Sequence, residues 1–333
     1  MMDNRMKINL NTGRPRIVIP EESYLEDVFE GCPFCGSRSV KYIGNLHPSP
    51  DINIYRDFLT IIGTVLSDYP SPDIKIYTCN SCHIGFFNPQ PKEKFLKEFY
   101  TGYYVGDTSR AKIDPRRFVS HLTKYLGNLT PGETVSILDF GGGDGAVSQC
   151  LGQYLLSTGI AMKINITVVD YNAVTDRREH LISQCSFATL DLIPLYEEFD
   201  IVIASAILEH LKNPRQIVST LLQKLKRQGI FYARTPYSFP FYKLFKKLGI
   251  TFGIPYPAHL FDMGSYFWND LLKTLKLSAN FRLKESHTSL VHAEFRKKPL
   301  LTILSHLAKL PSYLMGKWYP FSGGWEVVIE RNI

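Results

Sequence analysis

From residue 116 onward, apolar positions recur in two alternating periods. Phe118, Leu122, Tyr125, Leu126 and Leu129 share one helical face, so the spacing predicts a helix. Residues 135–139 read as a strand, 146–157 as a helix and 164–170 as a second strand. Ile201, Val202, Ile203 and Ala204 form an unbroken apolar run within 200–205, the pattern of a strand buried on both faces. Asn213-Pro214 reads as a helix start, with Asn213 as the cap and Pro214 at the first helical position. Ile217, Val218, Leu221, Leu222 and Leu225 continue that helix to a stop at Gly229. Residues 230–233 then read as a strand, 265–277 as a helix, and 282–286 and 325–330 as strands. Strands alternating with helices predict an α/β fold with a doubly wound, Rossmann-like sheet.

The first third has a different texture. Residues 1–20 form a polar arm, 21–105 hold short strand-like runs and several prolines, and the aromatic-rich stretch 96–104 links them to a domain over 106–333. At 333 residues the chain accommodates this division. Hydrophobic residues make up 44% and charged residues 21%, which suits a globular protein rather than a disordered one. No apolar run is long enough to span a bilayer, and residues 1–8 lack the apolar core of a secretory leader. The expected location is the cytoplasm. A net charge of +7 leans toward acidic partners: phosphorylated metabolites, nucleic acid or anionic membrane.

The densest chemistry is Ile137-Leu138-Asp139-Phe140-Gly141-Gly142-Gly143-Asp144-Gly145. A strand ends in an acid, and glycines follow where the backbone must turn tightly and admit a ligand. Gly141-x-Gly143-x-x-Ala146 also fits a dinucleotide fingerprint. Asp139 is placed to accept from a cationic amine. Asp170 ends the second strand, where an acid binds ribose hydroxyls in either class of enzyme.

Cys32-Pro-Phe-Cys35 and Cys79-Asn-Ser-Cys82 are separated by 43 residues. In a reducing compartment such paired cysteines point to a metal. Four thiolates close a tetrahedral zinc site with no open position, so Cys32, Cys35, Cys79 and Cys82 predict a structural ion.

Taken together, the glycine turn, Asp170, residues 200–205, Glu209-His210-Leu211 and the segment 225–233 resemble the class I S-adenosylmethionine-dependent methyltransferases. The resemblance implies a seven-stranded sheet. It also implies cofactor contacts from Asp139, Gly141, Gly143, Gly145, Asp170, Tyr171, Asp191, Leu192, Ser205 and Tyr104. Asn88-Pro89-Gln90-Pro91, following the cysteines and leading into Tyr103-Tyr104, is similar to a bacterial subgroup with an N-terminal zinc module. Members of that subgroup act in sugar, polysaccharide and natural-product pathways. The implied acceptor is therefore a sugar, glycan or other small molecule, phosphorylated or not.

Methyl transfer needs an aligned acceptor and removal of its proton. His210 follows the fourth strand, at the edge where open α/β sheets bind ligands, and is the candidate base. Glu209 would orient it or bind an acceptor hydroxyl, and His259 would lie near the acceptor. Each also has a purely structural reading.

Phe241, Leu244, Phe245 and Leu248 form an apolar stripe beside Lys243, Lys246 and Lys247. Leu300, Ile303, Leu304, Leu307 and Leu310 form another. The simpler reading is cover for the core or a homodimer face. The sharper one makes 236–262 a lid whose lysines meet a phosphate or a membrane surface. An RNA methyltransferase is the enzymatic alternative. The first hundred residues lack a dense basic stripe, however, which argues against nucleic acid. A catalytically silent scaffold of the same fold is the other alternative.

Overall fold

The computed structural model describes residues 6–8, 15–17, 25–28, 30–46, 74–93, 96, 100, 115–126, 133–170, 185–189, 197–250, 252, 254, 256, 258–289 and 299–332. The chain divides into two compact units. One comprises Met1–Thr108, His210–Lys212 and Ser238–Asp262, the other Ser109–Glu209, Asn213–Tyr237 and Met263–Ile333.

The larger unit is a mixed sheet with helices. Its strands are β1 (Glu133–Phe140), β2 (Ala161–Asp170), β3 (Cys185–Thr189), β4 (Phe199–Ser205), β5 (Leu225–Tyr237), β6 (Phe281–Thr288) and β7 (Gly323–Arg331). Their order is β3-β2-β1-β4-β5-β7-β6. The first five run parallel, and β7 lies antiparallel between β5 and β6. The chain steps outward from β1 to β3, then returns to the other side of β1 to form β4 and β5. That reversal opens a crevice at the carboxyl ends of β1 and β4.

Side-chain alternation buries both faces of the sheet. Ile201, Ile203, Ile230 and Tyr232 pack in one core with Phe118 and Leu122 of α1 (Pro115–Leu122) and Leu151 and Leu155 of α2 (Ala146–Ser157). Phe231 points the other way, where Trp268 lies 6.5 Å off between ring centroids. Trp268 belongs to α4 (Ser265–Thr274), which follows α3 (Pro214–Gln223) in the chain. Its indole donates to Thr235 Oγ1 at 2.8 Å, so a buried N–H stays satisfied.

Three helix ends differ from the sequence pattern. α1 ends at Leu122 and a 3₁₀ turn, Thr123–Tyr125, follows. Thr123 Oγ1 donates to the Ser120 carbonyl at 3.2 Å, a local bond that competes with helix; Leu129 lies outside the described residues. α3 stops at Gln223, and Leu225 already pairs with Phe199 as strand. Gly229 is therefore a strand residue. It follows Gln228 at φ 61°, and a Cβ on it would lie 2.9 Å from the Lys226 carbonyl oxygen. α4 ends at Thr274, with Lys276 in the left-handed conformation at φ 60°. Asn213 precedes α3, but its side chain makes no cap bond.

The smaller unit is built on an antiparallel sheet in the order Phe261–Asp262, Gly85–Asn88, Ile74–Cys79, Val40–Leu46. The helix Phe239–Lys247 packs beside it. Tyr242 Oη donates to the Asn45 carbonyl at 2.8 Å and Lys246 Nζ to the Ile43 carbonyl at 2.9 Å. Asp262 accepts from the amides of Ser238 and Phe239 at 2.6 and 3.2 Å, completing that helix's N-terminus. The apolar stripe of residues 241–248 is thus carried by a helix of this unit, with Leu248 61% exposed.

Candidate active site and cysteine cluster

The crevice at the sheet reversal is lined by the ends of three neighbouring strands. Asp139 stands opposite Val168 and Ile203 in register. Asp170 and Ser205 therefore each lie two residues beyond its level, beside the glycine turn. Gly141, Gly143 and Gly145 have φ of 75°, 57° and 71°, a region that strains residues with a side chain. A Cβ on Gly141 would lie 2.5 Å from Ile207 Cβ, and one on Gly142 would lie 2.4 Å from Asp139 Cγ. A Cβ on Gly143 would meet none of the described residues within 4 Å. The turn is pressed against protein on one side and open on the other.

Two acids hold this turn. The Gly143 amide donates to Asp170 Oδ2 at 2.9 Å. Asp139 is buried and hydrogen-bonded by Ser148 at the start of α2, yet among the described residues its Oδ2 has no hydrogen-bond partner. Burial is the main force lifting its pKa to about 6, with the nearby Asp170 charge adding to it against the Ser148 bonds. Ser205 Oγ is also buried without a partner among the described residues. Asp144 Oδ1 accepts from the Ala146 amide at 3.1 Å, occupying one N–H at the start of α2.

In the smaller unit His210 and His259 meet edge to face, their ring centroids 4.7 Å apart. His210 Nδ1 lies 2.8 Å from the Ala258 carbonyl oxygen and 2.8 Å from Tyr100 Oη. Tyr100 Oη also donates to that carbonyl at 2.9 Å. A carbonyl only accepts, so the network assigns the proton to Nδ1 and leaves the lone pair on Nε2. Burial and the adjacent His210 push His259 well below the usual imidazole value. Glu209 is buried in the 3₁₀ turn Leu208–His210.

The four predicted cysteines converge. Their Sγ atoms all lie within 4.8 Å of one another, and Cys32–Cys82 and Cys35–Cys79 are each 3.6 Å apart. Two matching turns present them. The Gly36 amide donates to the Cys32 carbonyl and the His83 amide to the Cys79 carbonyl, at 2.8 and 3.0 Å. Gly36 and His83 have φ of 74° and 62°. Sulfurs about 2.3 Å from one tetrahedral ion stand about 3.8 Å apart, so the donor set fits a thiophilic metal. Burial raises the Cys35 thiol to about 11, while the bond to Cys82 lowers Cys32 to about 6.

Residues 110–286 match the family described as "Methyltransferase domain". The chain belongs to this family. It is an S-adenosylmethionine-dependent methyltransferase. No curated protein matches the sequence. Among solved structures, this methyltransferase is similar to the plantazolicin methyltransferase BamL, crystallised with a triazolic desmethylPZN analog and S-adenosylhomocysteine. Identity is 19%, TM-score 0.45, covering 72% of this chain and 95% of that one. It is also similar to magnesium protoporphyrin IX methyltransferase from Synechocystis PCC 6803, at 17% identity and TM-score 0.42, covering 72% and 100%. A third is N-methyltransferase NodS from Bradyrhizobium japonicum WM9, at 13% identity and TM-score 0.37, covering 72% and 97%.

Within the methyltransferase, Asp139, the turn glycines, Asp170 and Ser205 gather at one crevice, and His210 gathers with His259. Tyr104, Tyr171, Asp191 and Leu192 lie outside the described residues. Two residues join the candidate sites without a sequence signal. Ser148 backs Asp139 from one turn into α2. Tyr100 contacts His210, but in a stretch containing Tyr103 and Tyr104 nothing in the spacing singles it out.

Proposed function

We propose that this methyltransferase acts on a small-molecule or glycan acceptor of the sugar, nucleotide-sugar or polysaccharide-precursor kind. The observation that carries the cofactor site is Asp139, a buried carboxylate with one oxygen unpartnered among the described residues, beside a turn that those residues leave open at Gly143. Such an oxygen is costly until a donor completes it, and the cofactor's ammonium is such a donor. When bound, S-adenosylmethionine supplies an electrophilic methyl carbon on a sulfonium. The protein's work is alignment and proton removal.

In this reading Asp139 takes the ammonium, amides of the turn and α2 take the carboxylate, and Asp170 takes the ribose hydroxyls. Gly141, Gly145 and Ser205 shape the pocket. Tyr104, Tyr171, Asp191 and Leu192 join it on the family resemblance alone. His210, held through Nδ1 by the Ala258 carbonyl, is the acceptor's base. Glu209 orients it or binds an acceptor hydroxyl, and neutral His259 flanks the acceptor.

The cysteine cage holds one structural zinc, within a zinc module over residues 21–105 that precedes the methyltransferase domain at 106–333. Four available thiols suit a cytoplasmic location. Transfer of labelled methyl from S-adenosylmethionine to nucleotide sugars, run beside total RNA, tests the acceptor class. Labelling of the sugars supports the reading, and labelling of RNA alone overturns it.

A further inference from the structure

The helix α5 (Pro299–Met315) is built inside out. Thr302 and Ser312 are buried, while Leu300, Leu304, Leu307, Leu310 and Leu314 are exposed, Leu314 by 94%. At 3.6 residues per turn these leucines fall along one stripe, and Thr302, Lys309 and Ser312 fall opposite.

The polar side is anchored to the larger unit. Ser312 Oγ lies 3.2 Å from Thr288 Oγ1, and Lys309 Nζ donates to the Ser289 carbonyl at 2.5 Å. Just past the helix, Tyr319 Oη donates back to the Ala308 carbonyl. Rolling the leucines inward would break these bonds and strand polar groups. A surface helix ordinarily does the reverse, and a contiguous exposed apolar face marks a docking surface.

Charge selects what covers it. No Asp or Glu occurs between Glu294 and Glu326, whereas Arg296, Lys297, Lys298 and Lys317 do, apart from the inward-bonded Lys309. A second copy laid on the same stripe would bring like charges together with no acid between them. An anionic bilayer supplies the opposite charge. Trp318 follows the helix at 62% exposure, with Lys317 Nζ 5.4 Å from its ring. Trp and Lys together suit the headgroup layer. No helix among the described residues is long and apolar enough to cross a membrane.

We propose that α5 lies flat on an anionic membrane surface, its leucine stripe in the acyl boundary and Lys317 and Trp318, just past its end, in the headgroup layer. The inference is independent of the acceptor. The test is flotation of the full chain with vesicles of phosphatidylcholine alone, or containing about one third phosphatidylglycerol. The L304E/L307E variant changes exposed positions only, and circular dichroism checks its folding.

Wild type should float with the anionic vesicles, less so as salt rises, and the variant should bind at least about tenfold more weakly. The other two of the three tryptophans, Trp268 and Trp325, are buried, so a blue shift in emission on vesicle addition reports Trp318. Absence of flotation, or equal flotation of the variant, overturns the proposal. So does a dimer that L304E/L307E dissociates while neither protein floats; that result assigns the stripe to a second copy.

Discussion

The Gly143 amide donates to Asp170 Oδ2 across 2.9 Å, so the acid that ends one strand holds the turn that leaves the next. Asp170→Ala removes both that tether and the proposed ribose acceptor. Hydrogen bonds to a charged group contribute roughly 1.5–3 kcal/mol. S-adenosylhomocysteine affinity should therefore fall by about ten- to a hundredfold in calorimetry. Unchanged affinity would remove Asp170 from the cofactor site.

Gly141 and Gly143 share a backbone conformation and differ in surroundings. Gly141→Ala drives a methyl into Ile207, at 2.5 Å, on top of the φ strain. Gly143→Ala meets open space and carries the strain alone, about 1–3 kcal/mol. Thermal melting should drop further for Gly141→Ala. Gly143→Ala should lose cofactor affinity out of proportion to its stability, because its methyl projects into the open side. Equal losses of affinity relative to stability in both variants would place the ligand elsewhere.

Asp139 makes the turn sensitive to pH. Burial lifts its pKa from 3.8 to about 6 in the folded chain. The sign follows from linkage: its contribution to stability is full below about pH 4 and is lost as pH rises through about 6. Asp139→Asn keeps the neutral shape and should flatten that part of the stability curve, by on the order of 3 kcal/mol. Cofactor affinity runs the other way, because an ammonium needs the ionised acid. S-adenosylhomocysteine binding should weaken below about pH 6 and release protons there, visible as buffer-dependent heats. Flat affinity across that range would separate Asp139 from the ammonium.

These acids and glycines were legible because the parallel sheet writes itself into sequence as short apolar runs. Once 135–139, 164–170 and 200–205 are strands, their ends must come together, and Asp139, Asp170 and Ser205 follow. The cysteines were legible because two CxxC turns converge only where something demands it. What stayed hidden depended on contacts distant in sequence. Gly229 reads as a helix stop, and only its approach to the Phe199 and Asp200 carbonyls reveals a strand position. Tyr100 becomes distinct from its aromatic neighbours only when folding brings it to His210, 110 positions away. The leucines at 300–310 gave the right period. Periodicity alone could not say that the polar side faces inward.

The cysteine cage predicts about one zinc per chain in metal analysis. A structural site of this kind contributes roughly 10–16 kcal/mol of apparent binding energy. Cys79→Ser, or a strong chelator, should unfold the smaller unit, read as lost protection of amides in 74–88 on hydrogen exchange. A metal-free preparation with full protection there would end the zinc assignment.

His210 and Tyr100 give the sharpest test of the base. His210→Ala should lower kcat about a hundredfold or more and leave S-adenosylhomocysteine affinity nearly intact. Tyr100→Phe keeps the ring but removes the hydroxyl that His210 Nδ1 faces, and should lower kcat far less than His210→Ala because the Ala258 carbonyl still holds the imidazole. His210→Ala with full turnover would assign proton removal to another group.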